Sequence, residues 1–165
     1  MKTGLTVVRD KFKSVSKAID ALGRSRVMVG VPADKTSRGE PITNAALAYI
    51  QENGAPEVNI PARPFMKPGV VAVRSEISAR LKKAGEFALE GRADAADREF
   101  HRVGAVARDA IKAKITDGPF APLKPSTIAA RQRKRKSRNN EDMKPLIDTG
   151  ALRNSISYVI RDEGK

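Results

Sequence analysis

The sequence predicts an α+β fold: a small, mostly antiparallel sheet packed against two long helices, with extended proline-rich arms. Three observations predict it. Apolar residues recur at steps of three and four over most of the chain, which is the spacing of one face of a helix. That period gives way to alternation near residues 29 and 158, as in half-buried strands. Ten prolines gather mainly into two crossings, at 56, 61, 64 and 68 and at 119, 122 and 125, where neither period can continue.

The first stripe, Val8, Phe12, Val15, Ile19 and Leu22, predicts an amphipathic helix stopping at Gly23. In "SRVMVGVP", Val27, Val29 and Val31 alternate with Met28 and Gly30, a strand that ends at Pro32. Polar residues 33–41 with Gly and Pro make a loop. "ITNAALAYIQENG" reads as a short helix with Ile42, Ala46, Tyr49 and Ile50 on its apolar side and Gly54 at its end. Beyond the first proline crossing, Val70, Val73, Ile77, Leu81, Ala84 and Ala88 mark one long helix, broken at Gly91. Phe100, Val103, Ala107, Ile111 and Ile115 mark the second, which stops at "DGPFAPLKP". Ser126 can cap a short helix that dissolves into basic residues. Finally, Ile156, Tyr158 and Ile160 alternate against Ser155, Ser157 and Val159 in a C-terminal strand. Two strands alone make a marginal sheet, so further strands hide in the loops or other subunits complete it.

A length of 165 residues suits one core and is short for two. The expected organisation is a single domain over 1–165, with 32–41, 54–68 and 131–145 as extended loops or arms. Aromatics make up only 4% and Trp is absent, so the core must rest on Val, Ile, Leu and Ala. The absence of cysteine excludes disulfides and thiolate metal sites and fits a reducing compartment. No run of about 18 apolar residues occurs, and "MKTGLTVVRDKFKSV" lacks the apolar stretch of a signal peptide. A soluble protein made in the cytoplasm, with no membrane partner, is expected.

Charge is the strongest compositional feature: 32 Lys and Arg against 19 Asp and Glu, a net of +13. Such an excess favours an acidic neighbour. Residues 121–165 hold 11 basic against 5 acidic side chains. Within them, "RQRKRKSR" carries Arg131, Arg133, Lys134, Arg135, Lys136 and Arg138. A run so dense repels itself, and it reads as a solvated loop, a DNA contact or a contact with an acidic protein surface.

Catalytic chemistry is thinly represented. His101 has no His or Cys companion for a metal, and Asp94, Asp97 and Glu99 are acidic residues of the kind that favour a helix start. Phosphate-cradling and dinucleotide glycine patterns are missing, as is any recognisable nucleophile motif. No enzyme activity, metal or cofactor is expected.

Three connected phrases remain: "AALAYIQENGAPEVNIPARPFMKPGV", "GPFAPLKPSTIAARQRK" and "KPLIDTGALRNSISYVI". Together they resemble the tail-completion, or virion-morphogenesis, proteins of long-tailed bacteriophages, which sit in the neck between head and tail. The matches are Glu52 and Gly54, Ile60 to Phe65, Pro122 to Arg131, and Pro145 to Ile156, so the resemblance spans about residues 27–160. It implies a virion assembly protein found in the neck or tail, and in the host cytoplasm during assembly. Its partners would be copies of itself in a ring, most simply a hexamer because the tail tube is six-fold, together with head connector or adaptor proteins and tail tube or terminator proteins. Packaged DNA would pass through without sequence-specific contact.

The phrases suit such a part. Proline fixes φ and costs little entropy to order, so Pro61 and Pro64 stiffen an arm on which Phe65 is expected to anchor in a neighbour's pocket and Arg63 either to meet an acidic groove or, as the default, to be an exposed arginine. The bland reading of the same stretch is a crossing loop. In "LIDTGALRNSI", Asp148 or Thr149 can bond nearby backbone while Gly150 takes a positive φ, aiming Leu152 and Ile156 inward. This is an ordinary turn before a strand or a further part of the interface. The alternative function is a non-catalytic DNA-binding protein using its basic C-terminal third, though it lacks an aromatic platform.

Overall fold

The computed structural model describes residues 12–33, 42–134 and 143–162. Among them the helices are α1 (Phe12–Arg24), α2 (Asn44–Asn53), α3 (Met66–Ala72), α4 (Arg74–Leu89), α5 (Ala93–Asp117), α6 (Pro125–Lys134) and α7 (Ala151–Ser155). The strands are β1 (Ser25–Gly30) and β2 (Ser157–Asp162), paired in a two-stranded antiparallel sheet. The α+β class is therefore as expected. No third strand joins the sheet among the described residues; an isolated antiparallel bridge links Ala55 and Ile60.

The chain divides into two compact units. The first comprises Met1–Met28, Ser75–Gly104 and Val159–Lys165, and the second Val29–Arg74 and Ala105–Tyr158. In place of the single core expected from length, each unit has its own apolar cluster. In the first, Ala84, Ala88 and Ala96 are buried, with Ala18, Leu22, Phe87 and Phe100 packed around them. In the second, Phe65, Ile111, Ile115, Leu146, Leu152 and Ile156 are buried with Ala48. Burying each such large side chain contributes about 1.5–3 kcal/mol, so the second cluster is the stronger. The division follows the stripes: α4 and the start of α5 supply alanines, whereas the end of α5 supplies isoleucines.

The long helix expected from Val70 to Ala88 is two helices, α3 and α4, meeting at Val73 with φ −113° and ψ 16°. Val70, Val71 and Val73 crowd three β-branched residues into four positions, and their stiff χ1 angles make a break least costly there. Gly69 of α3 is buried, and a Cβ on it would lie 2.8 Å from the Ile111 Cα. The missing side chain lets α3 pack against the backbone of α5.

Helix α2 buries a different side from the one expected, of which Ile50 alone is half-buried. Thr43 caps it, its Oγ1 accepting the Ala46 N–H at 3.1 Å, and the buried residues are Asn44 and Ala48 with Leu47 half-buried. Ile42, Ala46 and Tyr49 face solvent. The stretch 54–68 is not an extended arm either. Gly54, at φ 78°, ends α2. Ala55 and Ile60 exchange backbone bonds of 2.9 and 3.0 Å around a 3-10 turn at Pro56–Val58, and the Arg63 N–H donates to the Gln51 carbonyl at 2.7 Å. Backbone pairing folds the stretch onto its own helix, and α3 begins at Met66.

Candidate functional site

The three sequence phrases fall in the second unit, apart from Val159 and Ile160 at the end of the last, and three polar side chains tie them together. Glu52, near the end of α2, supplies one tie. Its Oε2 accepts the N–H groups of Phe65 and Met66 at 2.7 and 2.8 Å, and its Oε1 accepts that of Lys67 at 3.1 Å. These are the orphan donors at the start of α3, for which Phe65 offers no capping side chain of its own. The carboxylate satisfies them and complements the positive end of the helix dipole.

Arg63 supplies the second tie. From Ala62 on, exposure alternates along the segment: Ala62 and Pro64 are exposed while Arg63 and Phe65 are buried, and Pro61 before them is exposed as well. Arg63 donates from Nε to the Ala121 carbonyl at 2.8 Å, from one terminal nitrogen to the Pro122 carbonyl at 3.0 Å, and from the other to Gln51 Oε1 at 3.2 Å. Burial, and then the like charge of Arg131, hold its guanidinium below its ordinary pKa. The acidic groove expected for Arg63 on a partner is thus replaced by carbonyls of its own chain. Phe65 is likewise corrected: it is fully buried at 0% exposure in the core of this unit, in the cluster of Ile111, Ile115, Leu152 and Ile156.

Arg131 is the third tie, and it too leaves the surface role expected for it. The start of the basic run, 131–134, is helical rather than loop, since α6 ends at Lys134. One turn from that end, the Arg131 guanidinium donates to the carbonyls of Lys144 at 3.0 Å, Ile147 at 3.1 Å and Pro145 at 3.2 Å, and its Nε lies 3.8 Å from Asp148 Oδ1. A planar fork with five donors can serve several carbonyls of one turn at once. Arg133 is exposed on the same helix. The side chain of Lys134, and Arg135, Lys136 and Arg138 altogether, lie outside the described residues.

The turn at 148–152 forms as its residues suggest. Thr149 Oγ1 accepts the Ala151 N–H at 3.3 Å, and Gly150 has φ 81° and opens α7. Leu152 and Ile156 are buried in the core, so Leu152 is removed from the expected interface set. A void of about 50 Å³ lies beside Gln51, Arg131, Asp148 and Thr149, too small for a typical ligand pocket. Of the expected interface residues, Pro61, Pro64 and Thr149 present exposed side chains and Asp148 a half-buried one.

In the first unit, Glu99 is not the helix-start residue expected. It is 1% exposed, bonded by Arg102 and by Arg80 at 3.4 Å. Burial pushes its carboxyl up, but the bond and charge of Arg102, the charge of Lys83 and the bond of Arg80 outweigh burial and hold it below the usual carboxylate value. A single acidic letter in a helix gives no signal of this, because the two arginines come from different turns and one from another helix. His101 is exposed, with Nε2 3.7 Å from Asp97. Among the described residues, no group of three His, Cys, Asp or Glu is placed to hold a metal.

No family model matches the chain, and no curated protein or solved structure matches it.

Proposed function

We propose that the chain is a structural assembly protein of a tailed phage. It builds a ring at the head–tail neck or the tail end, joins tail to head and leaves a channel for DNA. It acts by binding and not by catalysis. One observation carries this reading: Glu52, Arg63 and Arg131 connect every phrase on which the resemblance to tail-completion proteins rests. The order of the phrases is then the signature of one folded unit rather than a run of unrelated turns. Exposed large apolar residues, among them Tyr49, Val58 and Val71, supply surface for the protein contacts such a part needs.

The test is a phage carrying a disrupted copy of this reading frame, examined by electron microscopy. Filled heads and separate tails, rescued by the chain supplied in trans, support the proposal. Intact particles of ordinary infectivity overturn it. Sequence-selective DNA binding that survives physiological salt would move the reading to a DNA-binding protein.

A further inference from the structure

The first unit contains an open groove of about 610 Å³. Ala21 of α1, Ala88 at the end of α4, and Ala93 and Phe100 of α5 line it, together with Lys17 and Arg24 of α1. Small residues leave room for a bulky guest, and Phe100 offers it an aromatic neighbour. The two carboxylates at the groove already face partners of their own: Asp162 accepts the Ser25 hydroxyl at 3.1 Å, and Asp97 faces His101.

The second unit carries exposed apolar side chains that such a groove can take. Tyr49 of α2 is 71% exposed, flanked in sequence by exposed Ile42 and, in the turn that follows, Val58. Tyr is a favoured anchor in protein interfaces, since it buries a large rigid area at little entropic cost. The charge here departs from the rest of the chain. Positions 39–62 form its longest stretch without Lys or Arg, and they include Glu40, Glu52 and Glu57. Glu52 is turned to backbone N–H groups, but Glu57 is exposed. In a protein of net charge +13, copies repel one another unless the surface one of them offers is locally acidic.

We propose that the groove receives the Tyr49 face of a second copy of the chain, with Glu57 of that copy against Lys17 and Arg24. The contact is head-to-tail, since the groove and the Tyr49 face are different surfaces, and repeated contacts of that kind close into a ring when the rotation permits. The inference deepens the ring-building reading above and rests on it.

The chain has no cysteine, so an introduced pair reports one contact only. Chains carrying Ala46→Cys, exposed one turn before Tyr49 on α2, are mixed with chains carrying Ala21→Cys and oxidised, both as concentrated pure protein and during particle assembly. Val71→Cys, exposed elsewhere on the second unit, replaces Ala46→Cys in the control. The expected result is a covalent heterodimer at least about tenfold above the control, weakened by Glu57→Lys and restored when Lys17→Glu is placed in the groove-bearing chain. Unchanged circular dichroism confirms that each variant folds. Heterodimer at the control level in both settings, or linkage of Ala46→Cys to a different virion protein instead, overturns the inference. If the heterodimer forms while phage lacking the chain assemble normally, the self-contact stands and the neck assignment fails.

Discussion

The Glu52 carboxylate receives the backbone N–H of Phe65 at 2.7 Å, so helix α3 starts on an acceptor supplied by the end of helix α2. Three N–H groups depend on that one side chain. Glu52→Ala should lower stability by about 2 kcal/mol, as for loss of a charged cap. Glu52→Gln should recover part of that, because its amide oxygen still accepts. Urea denaturation of the purified chain measures both, and an unchanged midpoint in the alanine variant would deny the cap its role.

Phe65 lies wholly inside the second unit. Truncation to alanine should cost about 3–5 kcal/mol, the transfer loss plus a cavity, and should be visible in the free protein. Had Phe65 anchored in a neighbour, the isolated chain would keep its stability and lose only assembly. Thermal unfolding of the variant alone distinguishes the two.

Arg131 and Arg133 sit two residues apart in the same basic phrase and should behave oppositely. Arg131→Ala removes bonds to three carbonyls and should cost about 2–3 kcal/mol. Arg131→Lys should rescue it poorly, since an ammonium cannot reproduce the planar fork. Arg133→Ala, at an exposed position, should change stability by less than about 0.5 kcal/mol. Equal effects in a denaturant titration would refute the distinction.

Neutralising Arg133, Lys134, Arg135, Lys136 and Arg138 together lowers the net charge from +13 to +8 and spares Arg131. Folding should survive. Duplex binding by the wild-type chain should be weak, indifferent to sequence and lost between roughly 50 and 200 mM salt, as for phosphate neutralisation alone. Anisotropy titrations with two unrelated duplexes check this, and a strong preference for one of them would contradict it.

Glu99 should shape the acid limb of stability. Its folded pKa is depressed, so its contribution is complete above the ordinary carboxylate value and disappears as pH falls through the lowered folded value. Glu99→Gln should cost about 1–3 kcal/mol at neutral pH and lose less on acidification than the wild type. Stability measured from pH 7 down to pH 3 tests the sign; parallel curves for the two proteins would contradict it.

The sequence by itself determined the elements whose signal is local. The change from steps of three and four to alternation located α1, α5, β1 and β2, and the stripe Val103, Ala107, Ile111 and Ile115 named the buried face of α5. Gly150 was equally legible, because positive φ is a property of one residue and its neighbours. The tertiary structure alone decided what each side chain meets. Ile42, Ala46 and Tyr49 mark a face of α2, yet the face that is buried holds Asn44 and Ala48, since burial depends on which distant segment arrives and not on the helix. Arg63 and Arg131 read as surface cations until chain from residues 121–122 and 144–147 presents carbonyls to them. The separation into two apolar clusters has the same origin: a periodic stripe records that a face is apolar, while the size and partner of the core it joins are fixed only when remote parts of the chain pack together.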